Sequence, residues 1–359
     1  MPLVKLEITD FRNLSSASLA LNPSGLNIFI GKNGSGKTSI LEAVYYLGLG
    51  RSFRSAHVAH VIQYTKPAFT LFGELLENQT VGIERSRSGD SLIKINRQPA
   101  ASLAELSLIL PIQLLTPHVF HLLELGPQSR REFLDWGVFH VEHSFIHTWR
   151  RFKLALRQRN AALRSPNTSN DEVLLWDHEL AASATEIHAM RESYLIDFKN
   201  FFEIALDALL PLFHSSIELK PGWDITQDYR ILLREELQKD RLMGFTQHGP
   251  HRADLKILVD GKPAAELLSR GQQKLCISAM KLAQASLLKQ RSGQQCIFLL
   301  DDITSELDIE NQRKIIQLLE GDAAQVFITA LSGDFTAGCC TKNIRMFHVE
   351  HGLITEAMA

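Results

Sequence analysis

No stretch of eighteen or more apolar residues occurs in the 359-residue chain, so no membrane-spanning helix of ordinary length is expected. Nor does the opening segment have the uncharged apolar core of a secretory signal, since Lys5, Glu7 and Asp10 interrupt it. A cytoplasmic location is the expectation. Cysteine is scarce: Cys276, Cys296, Cys339 and Cys340 include no C-x-x-C pair, which argues against a zinc cage or a disulfide framework and for reduced, buried thiols. Neither sign of charge is in excess, with 38 Lys+Arg against 40 Asp+Glu; 22% charged and 45% hydrophobic residues exclude disorder and collagen. The length suffices for two domains or lobes. The near-neutral total conceals an asymmetry, because residues 1–164 carry 19 Lys+Arg and 12 Asp+Glu whereas residues 165–359 carry 19 and 28. A basic face for an anionic partner is compatible with that distribution.

Val4, Leu6 and Ile8 alternate with Lys5 and Glu7, the period of a half-buried strand, and Leu26-Asn-Ile-Phe-Ile30 reads as a fully buried one. Strand character recurs at Phe69 to Gly73, Leu92 to Asn96 and Ala253 to Val259, the last closed by the turn Asp260-Gly261. From about Gln128 to Leu210, apolar residues at three- and four-residue spacing predict helices, broken by the polar turn Ser165-Pro-Asn-Thr-Ser-Asn170. A further helix is expected over Gln272 to Gln290. Two short apolar runs, Cys296 to Leu300 and Gln325 to Thr329, have the length of strands buried on both faces. Strand and helix alternate at both ends with helices between, which predicts an α/β head built from residues 1–115 and 241–359 and a helical arm over 116–240.

Gly31-Lys32-Asn33-Gly34-Ser35-Gly36-Lys37-Thr38 satisfies G-x-x-x-x-G-K-[ST] between a strand and a helix-like Ile40-Leu-Glu-Ala-Val44, the context that this phosphate-binding loop requires. Its glycines let backbone amides turn around phosphates, Lys37 reaches the β and γ groups and Thr38 ligates magnesium. Asp301 and Asp302 end the apolar strand Cys296 to Leu300, where one carboxylate meets magnesium and the other polarises a water. Such a pair also opens turns or caps helices. The phosphate loop in the same chain favours the metal reading.

Leu268-Ser-Arg-Gly-Gln272, about thirty residues before Asp301, resembles the signature of the ATP-binding-cassette ATPases, and Ser305-Glu-Leu-Asp308 resembles their dimer loop. Gln113 stands where such proteins place a magnesium-sensing glutamine. Finer strings resemble the RecF family of bacterial recombination mediators over essentially the whole chain: Ile8-Thr-Asp-Phe-Arg-Asn-Leu14, Gly50-Arg-Ser-Phe-Arg54, Gly126-Pro127 with Arg130-Arg-Glu-Phe-Leu-Asp-Trp-Gly137, Gly249-Pro-His-Arg252, Ser269-Arg-Gly-Gln-Gln-Lys274 and Phe347-His-Val-Glu-His-Gly352. The resemblance implies a cassette-type ATPase head, related to the SMC and double-strand-break repair ATPases, that dimerises on ATP and binds DNA. It further implies recognition of gapped DNA, with RecO and RecR, to help RecA replace single-strand-binding protein.

Carried onto this chain, the resemblance puts ATP on Gly31 to Thr38 and magnesium among Thr38, Gln113 and Asp301. Ser269 and Gly271 would contact the γ-phosphate held by the other protomer, with Ser305 and Asp308 in the loop at the dimer seam. Asp302 stands where many cassette ATPases carry a glutamate, one methylene longer, and Ala330 stands where transporters have a histidine near the γ-phosphate. Both departures point to slow hydrolysis; a weak, DNA-stimulated ATPase used as a switch is the expectation.

Arg150, Lys153 and Arg157, with Arg164, fall on one side of a projected helix and Phe152, Leu156 and Leu163 on the other. This stripe reads either as a DNA-backbone contact or as the solvated face of a packed arm helix. His140 with His143 and His348 with His351 match no metal motif, and Trp136, Trp149 and Trp176 are expected in the arm core. Two other functions compete: an ATPase subunit of a membrane transporter, disfavoured by the 156-residue interval between Gln113 and Ser269, and a nucleotide-insensitive scaffold for DNA and RecR, disfavoured by the intact Lys37, Thr38 and Asp301.

Overall fold

The computed structural model describes residues 2–116, 121–302, 308–321, 324–333 and 343–357. The chain divides into two compact units, residues 1–119 with 274–359 and residues 120–273. Residues 241–273, expected in the head, fall in the second unit. Among the described residues no helix is long and apolar enough to cross a membrane.

In the first unit, β1 (Leu3–Phe11), β2 (Leu14–Ala20), β4 (Ala68–Leu75), β5 (Thr80–Ser86), β6 (Ser91–Ile95) and β7 (Gln98–Pro99) form an antiparallel sheet ordered β2-β1-β4-β5-β6-β7. The alternation expected over Val4, Leu6 and Ile8 is displaced at its start. A register irregularity against β4 between Leu3 and Lys5 puts Leu3, and not Val4, in the core.

A second sheet is ordered β15-β14-β3-β13-β12-β8, with β3 at Leu26–Ile30, β8 at Ile112–Leu115, β12 at Ile297–Leu300, β13 at Gln325–Ala330, β14 at Ile344–Glu350 and β15 at Leu353–Ala357. All neighbours run parallel except β14 with β15. Burial on both faces explains the near-continuous apolar character of β3, β12 and β13. Helix α1 (Lys37–Leu49) touches β1, β4 and β5 of one sheet and β8 and β13 of the other. Enclosed by both, it buries Ile40, Leu41, Ala43, Val44 and Leu47 completely.

In the second unit the expected helical run resolves into α2 (Pro127–Val141), α3 (Phe145–Arg164) and α4 (Asp177–Leu209). The polar break holds a capping box in which Ser169 and Glu172 satisfy each other's backbone amides. Beside the helices, β9 (Ser215–Lys220), β10 (Asp254–Val259) and β11 (Lys262–Pro263) form a sheet ordered β11-β10-β9. Trp149 stacks between Phe145 and Phe152, with the Lys153 and Arg191 cations over its ring.

Cys276 and Cys296 are buried thiols, and burial pushes the Cys276 thiol up to about 12. Cys339 and Cys340 lie outside the described residues.

Arg159 is wholly buried on α3 and organises this unit. Its guanidinium donates to Asp177 Oδ1 (2.8 Å), Asp240 Oδ2 (2.6 Å), Thr246 Oγ1 (2.8 Å) and the Leu233 carbonyl (3.1 Å). Arg191 on α4 likewise grips Asp135 of α2 at 2.9 and 3.1 Å and the Pro250 carbonyl at 3.0 Å. Removing one member of a buried ion cluster strands the others in low dielectric. Arg159→Ala is therefore expected to destabilise the second unit by about 3–5 kcal/mol, measurable as an earlier urea-unfolding transition.

Candidate functional site

The phosphate-binding loop leaves the end of β3 and enters α1, with Gly34 at φ 79° and Gly36 at φ 120°, a backbone region that disfavours side chains. Gly31 is constrained differently. A Cβ there would lie 2.2 Å from the Val349 carbonyl oxygen of β14. Lys37, the first residue of α1, folds its ammonium back onto the loop carbonyls of Gly31 (2.5 Å) and Lys32 (3.0 Å). Burial lowers its pKa from the ordinary lysine value, against the opposing pull of Asp302 and Asp301.

The parallel register brings the ends of β3, β13 and β12 together, and three side chains meet there. Thr38 Oγ1 donates to Asp301 Oδ1 at 2.9 Å, Thr329 Oγ1 donates to the same oxygen at 2.8 Å, and the Asp302 backbone N–H donates to Thr329 Oγ1 at 2.8 Å. Asp302 sits at φ 53°, unusual for a non-glycine residue. A cavity of about 670 Å³ opens beside them, lined by Asn33, Gly34, Gly36, Lys37, Thr38, Asp301 and Asp302. Adjacent hydroxyl and carboxylate oxygens suit magnesium, which takes one or two protein oxygens and fills its octahedron with water and phosphate oxygens.

The loop is braced by turns distant in sequence. Asn13, in the β1–β2 turn, donates to the Ser35 carbonyl (3.2 Å) and accepts from Ser39 Oγ (2.9 Å). The Gly352 N–H, in the β14–β15 turn, donates to the Ser35 carbonyl at 2.8 Å. Arg12, Arg54 and Arg87 also line the cavity. Arg87 supports the wall by donating to the carbonyls of Lys66, Ala59 and Gln63. The residue pattern alone points to no role for Asn13, Ser39, Arg12, Arg54 or Thr329. Arg12, Asn13 and Arg54 lie inside family-like strings, the only signal they carry, whereas Thr329 shows none beyond closing an apolar strand.

Gly31 through Thr38, Asp301 and Asp302 thus converge. Gln113 requires a correction. It pairs with Phe298 of β12, three residues before Asp301, which is about 10 Å along a strand. Its buried amide donates to Gln284 Oε1 (3.0 Å) and accepts from Lys281 Nζ (3.2 Å) of helix α5 (Arg270–Ser292), so its polar atoms are satisfied away from the Thr38–Asp301 pair. Ala330 is the buried last residue of β13 and not the first residue beyond it.

Ser269 and Gly271 are exposed residues of the second unit. Ser269 and Gln272 cap the start of α5 reciprocally, the Gln272 side chain accepting from the Ser269 N–H at 2.9 Å. Ser305 lies outside the described residues. Asp308 begins helix α6 (Ile309–Gly321) and accepts from the Asn311 N–H at 2.8 Å, a bond that lowers its pKa. Arg150, Lys153 and Arg157 are exposed along α3.

A loop of this geometry on a parallel sheet, facing a carboxylate at the end of the strand two places away, defines a P-loop ATPase head of the ABC and SMC kind. The RecF/RecN/SMC N-terminal domain model matches residues 2–355. The DNA replication and repair protein RecF of Stutzerimonas stutzeri is 44% identical over 99% of this chain and 98% of its own, and that of Cronobacter sakazakii is 42% identical over 99% and 100%. A solved structure of the recombination mediator protein RecF with ATP, of the RecFOR pathway, superposes with TM-score 0.89 at 25% identity over 99% of this chain and 98% of that one. An Smc head bound to the C-terminal winged-helix domain of ScpA has TM-score 0.61 at 16% identity, covers 99% and 97%, and shares the fold. The chain belongs to the RecF family.

The tight approach at Gly31 generates a test. Gly31→Ala must displace either the loop or β14, and is expected to cost about 1–3 kcal/mol of stability in thermal unfolding.

Proposed function

We propose that this protein is an ATP-dependent DNA-binding protein of recombinational repair, whose two heads close on ATP and reopen after slow hydrolysis. The observation that carries the reading is the convergence of Lys37, Thr38 and Asp301 at one cavity in a chain of the RecF family. In it, the backbone of Gly31 to Thr38 binds the phosphates, and Lys37 exchanges its carbonyl partners for β- and γ-phosphate oxygens. Thr38 and Asp301 hold magnesium, which neutralises charge developing on the phosphates. Asp302 positions the attacking water from a short side chain, which keeps turnover slow, and DNA binding is proposed to stimulate it.

Dimerisation is supported by the exposure of Ser269 and Gly271, the residues that would reach the γ-phosphate bound by a second protomer, with Asp308 in the proposed dimer loop. Bridging gives ATP the differential affinity for the closed form that a switch requires. Arg150, Lys153 and Arg157 supply a basic stripe for the DNA backbone, which calls for charge and no base code. Gapped DNA is the proposed target, RecO and RecR the proposed partners, and loading of RecA in place of single-strand-binding protein the proposed outcome, in the cytoplasm. RecF relatives are described within a RecFOR pathway, which supports this assignment.

Sedimentation of wild type and Ser269→Arg with magnesium and ATP, with and without a gapped duplex, tests the clamp. Wild type should dimerise and retain DNA, while the variant binds ATP as a monomer; identical behaviour refutes the trans contact. Reversing Arg150, Lys153 and Arg157 to glutamate together should weaken DNA binding and flatten its log–log salt dependence by about three, roughly one for each cation withdrawn from a phosphate. Unchanged affinity at low salt in a folded variant would remove the stripe from the interface.

A further inference from the structure

Glu42 is the least expected charge in the molecule. It lies on α1, five residues beyond Lys37, and is wholly buried although its side chain is ionisable. A carboxylate in that position must be compensated by hydrogen bonds and opposite charge. Glu42 receives Arg12 Nε on Oε2 at 2.9 Å and Arg12 Nη2 on Oε1 at 2.6 Å, a fork-on-fork pair, and the Ser52 hydroxyl on Oε1. Arg54 Nη1 approaches Oε2 at 3.6 Å.

The two arginines are held differently. Arg12 stands in the left-handed region at φ 57°, its N–H bound by the Val61 carbonyl at 2.7 Å and its Nη1 by the His60 carbonyl. A strained backbone held on all sides keeps one orientation. Arg54 makes only the longer contact with Glu42 and leaves about half of its side chain exposed, at 47%. Arg12 and Arg54 both line the same cavity as Lys37 and Thr38. One buried negative charge thus serves two cations, and the surplus positive charge faces the place where phosphates bind.

We propose that Glu42 is a positioning residue for the nucleotide: it orients Arg12 as a fixed wall of the phosphate cavity and tethers Arg54 loosely enough for that guanidinium to turn onto a phosphate oxygen. The inference rests on reading the cavity as a triphosphate site. It explains why an acid occupies the buried face of the loop's own helix, where burial of an apolar residue would be less costly. Without the carboxylate, two guanidinium groups would repel across the cavity wall, Arg54 would lose its tether and Arg12 would keep only its anchor on the His60 carbonyl. Glu42 itself touches no phosphate in this arrangement and acts through the two arginines.

Equilibrium binding of magnesium ATP and of inorganic triphosphate to the full chain tests the proposal, with wild type, Glu42→Gln, Arg54→Ala and the double variant. Glu42→Gln is expected to weaken both ligands tenfold or more and equally, because the effect is on phosphate and not on base or sugar. The double variant should lose less than the product of the two single effects, because part of the effect of Glu42 passes through Arg54 and the rest through Arg12. Glu42→Asp, which retains the charge one methylene short, covers the case in which the glutamine variant does not fold; it should weaken ATP at least threefold. A folded Glu42→Gln with ATP affinity within twofold of wild type, an additive double variant, or an aspartate variant equal to wild type would overturn the proposal. Lys37→Ala separates this from failure of the site itself. If Lys37→Ala loses ATP and Glu42→Gln does not, only the role of Glu42 falls; if wild type binds neither ligand, the triphosphate reading falls with it.

Discussion

The carboxylate of Asp301 is the point on which the first unit depends. One of its oxygens accepts hydroxyl donors from Thr38 and Thr329, residues 263 and 28 positions away, and its backbone N–H donates to the Leu115 carbonyl at 2.9 Å. These contacts require β8, β12, β13 and β3 to end in step. A parallel sheet with a uniform register meets that demand, because its strands present their carboxyl ends along one edge. Displacing β12 by one residue would turn Asp301 to the opposite face and separate it from α1.

Rigidity around that point comes from packing on both sides of α1. Phe29, Phe327 and Phe347 stack across β3, β13 and β14, while Phe11, Tyr46 and Phe69 meet edge to face against the antiparallel sheet. The loop between them is braced by the turns carrying Asn13 and Gly352. A phosphate loop must hold its amides inward without a ligand to organise it, and the two braces meet that requirement through the Ser35 carbonyl.

The two units employ buried charge differently. Arg159 in the second gathers two carboxylates, a hydroxyl and a carbonyl around a guanidinium closed off from solvent, where the cost of desolvating the charges offsets much of their attraction. Glu42 in the first gathers two arginines at the edge of a cavity, where the surplus charge remains available to a ligand.

Several features are legible in the residues because they depend on local pattern. Period-two and unbroken apolar runs mark β1, β3, β4, β6, β12 and β13 of the first unit, and three- and four-residue spacing marks α2, α3 and α4. The glycines, Lys37 and Thr38 of the phosphate loop carry their geometry in their own order. Gln113 departs from its expected place because a family-like position says nothing about which buried amide will find Gln284 and Lys281 across the sheet. The irregularity that exchanges Val4 for Leu3 arises from pairing with β4, some seventy residues on. Glu42 shows the division most clearly. Its sequence neighbours give an amphipathic helix a polar position to leave in water, but Arg12 from the β1–β2 turn and Ser52 and Arg54 from beyond the helix close over it. Local sequence determined that a helix would follow the phosphate loop. Only the tertiary structure determined that its acid would be buried, since burial and partner choice depend on Arg12, Ser52 and Arg54 being folded against it from outside the helix.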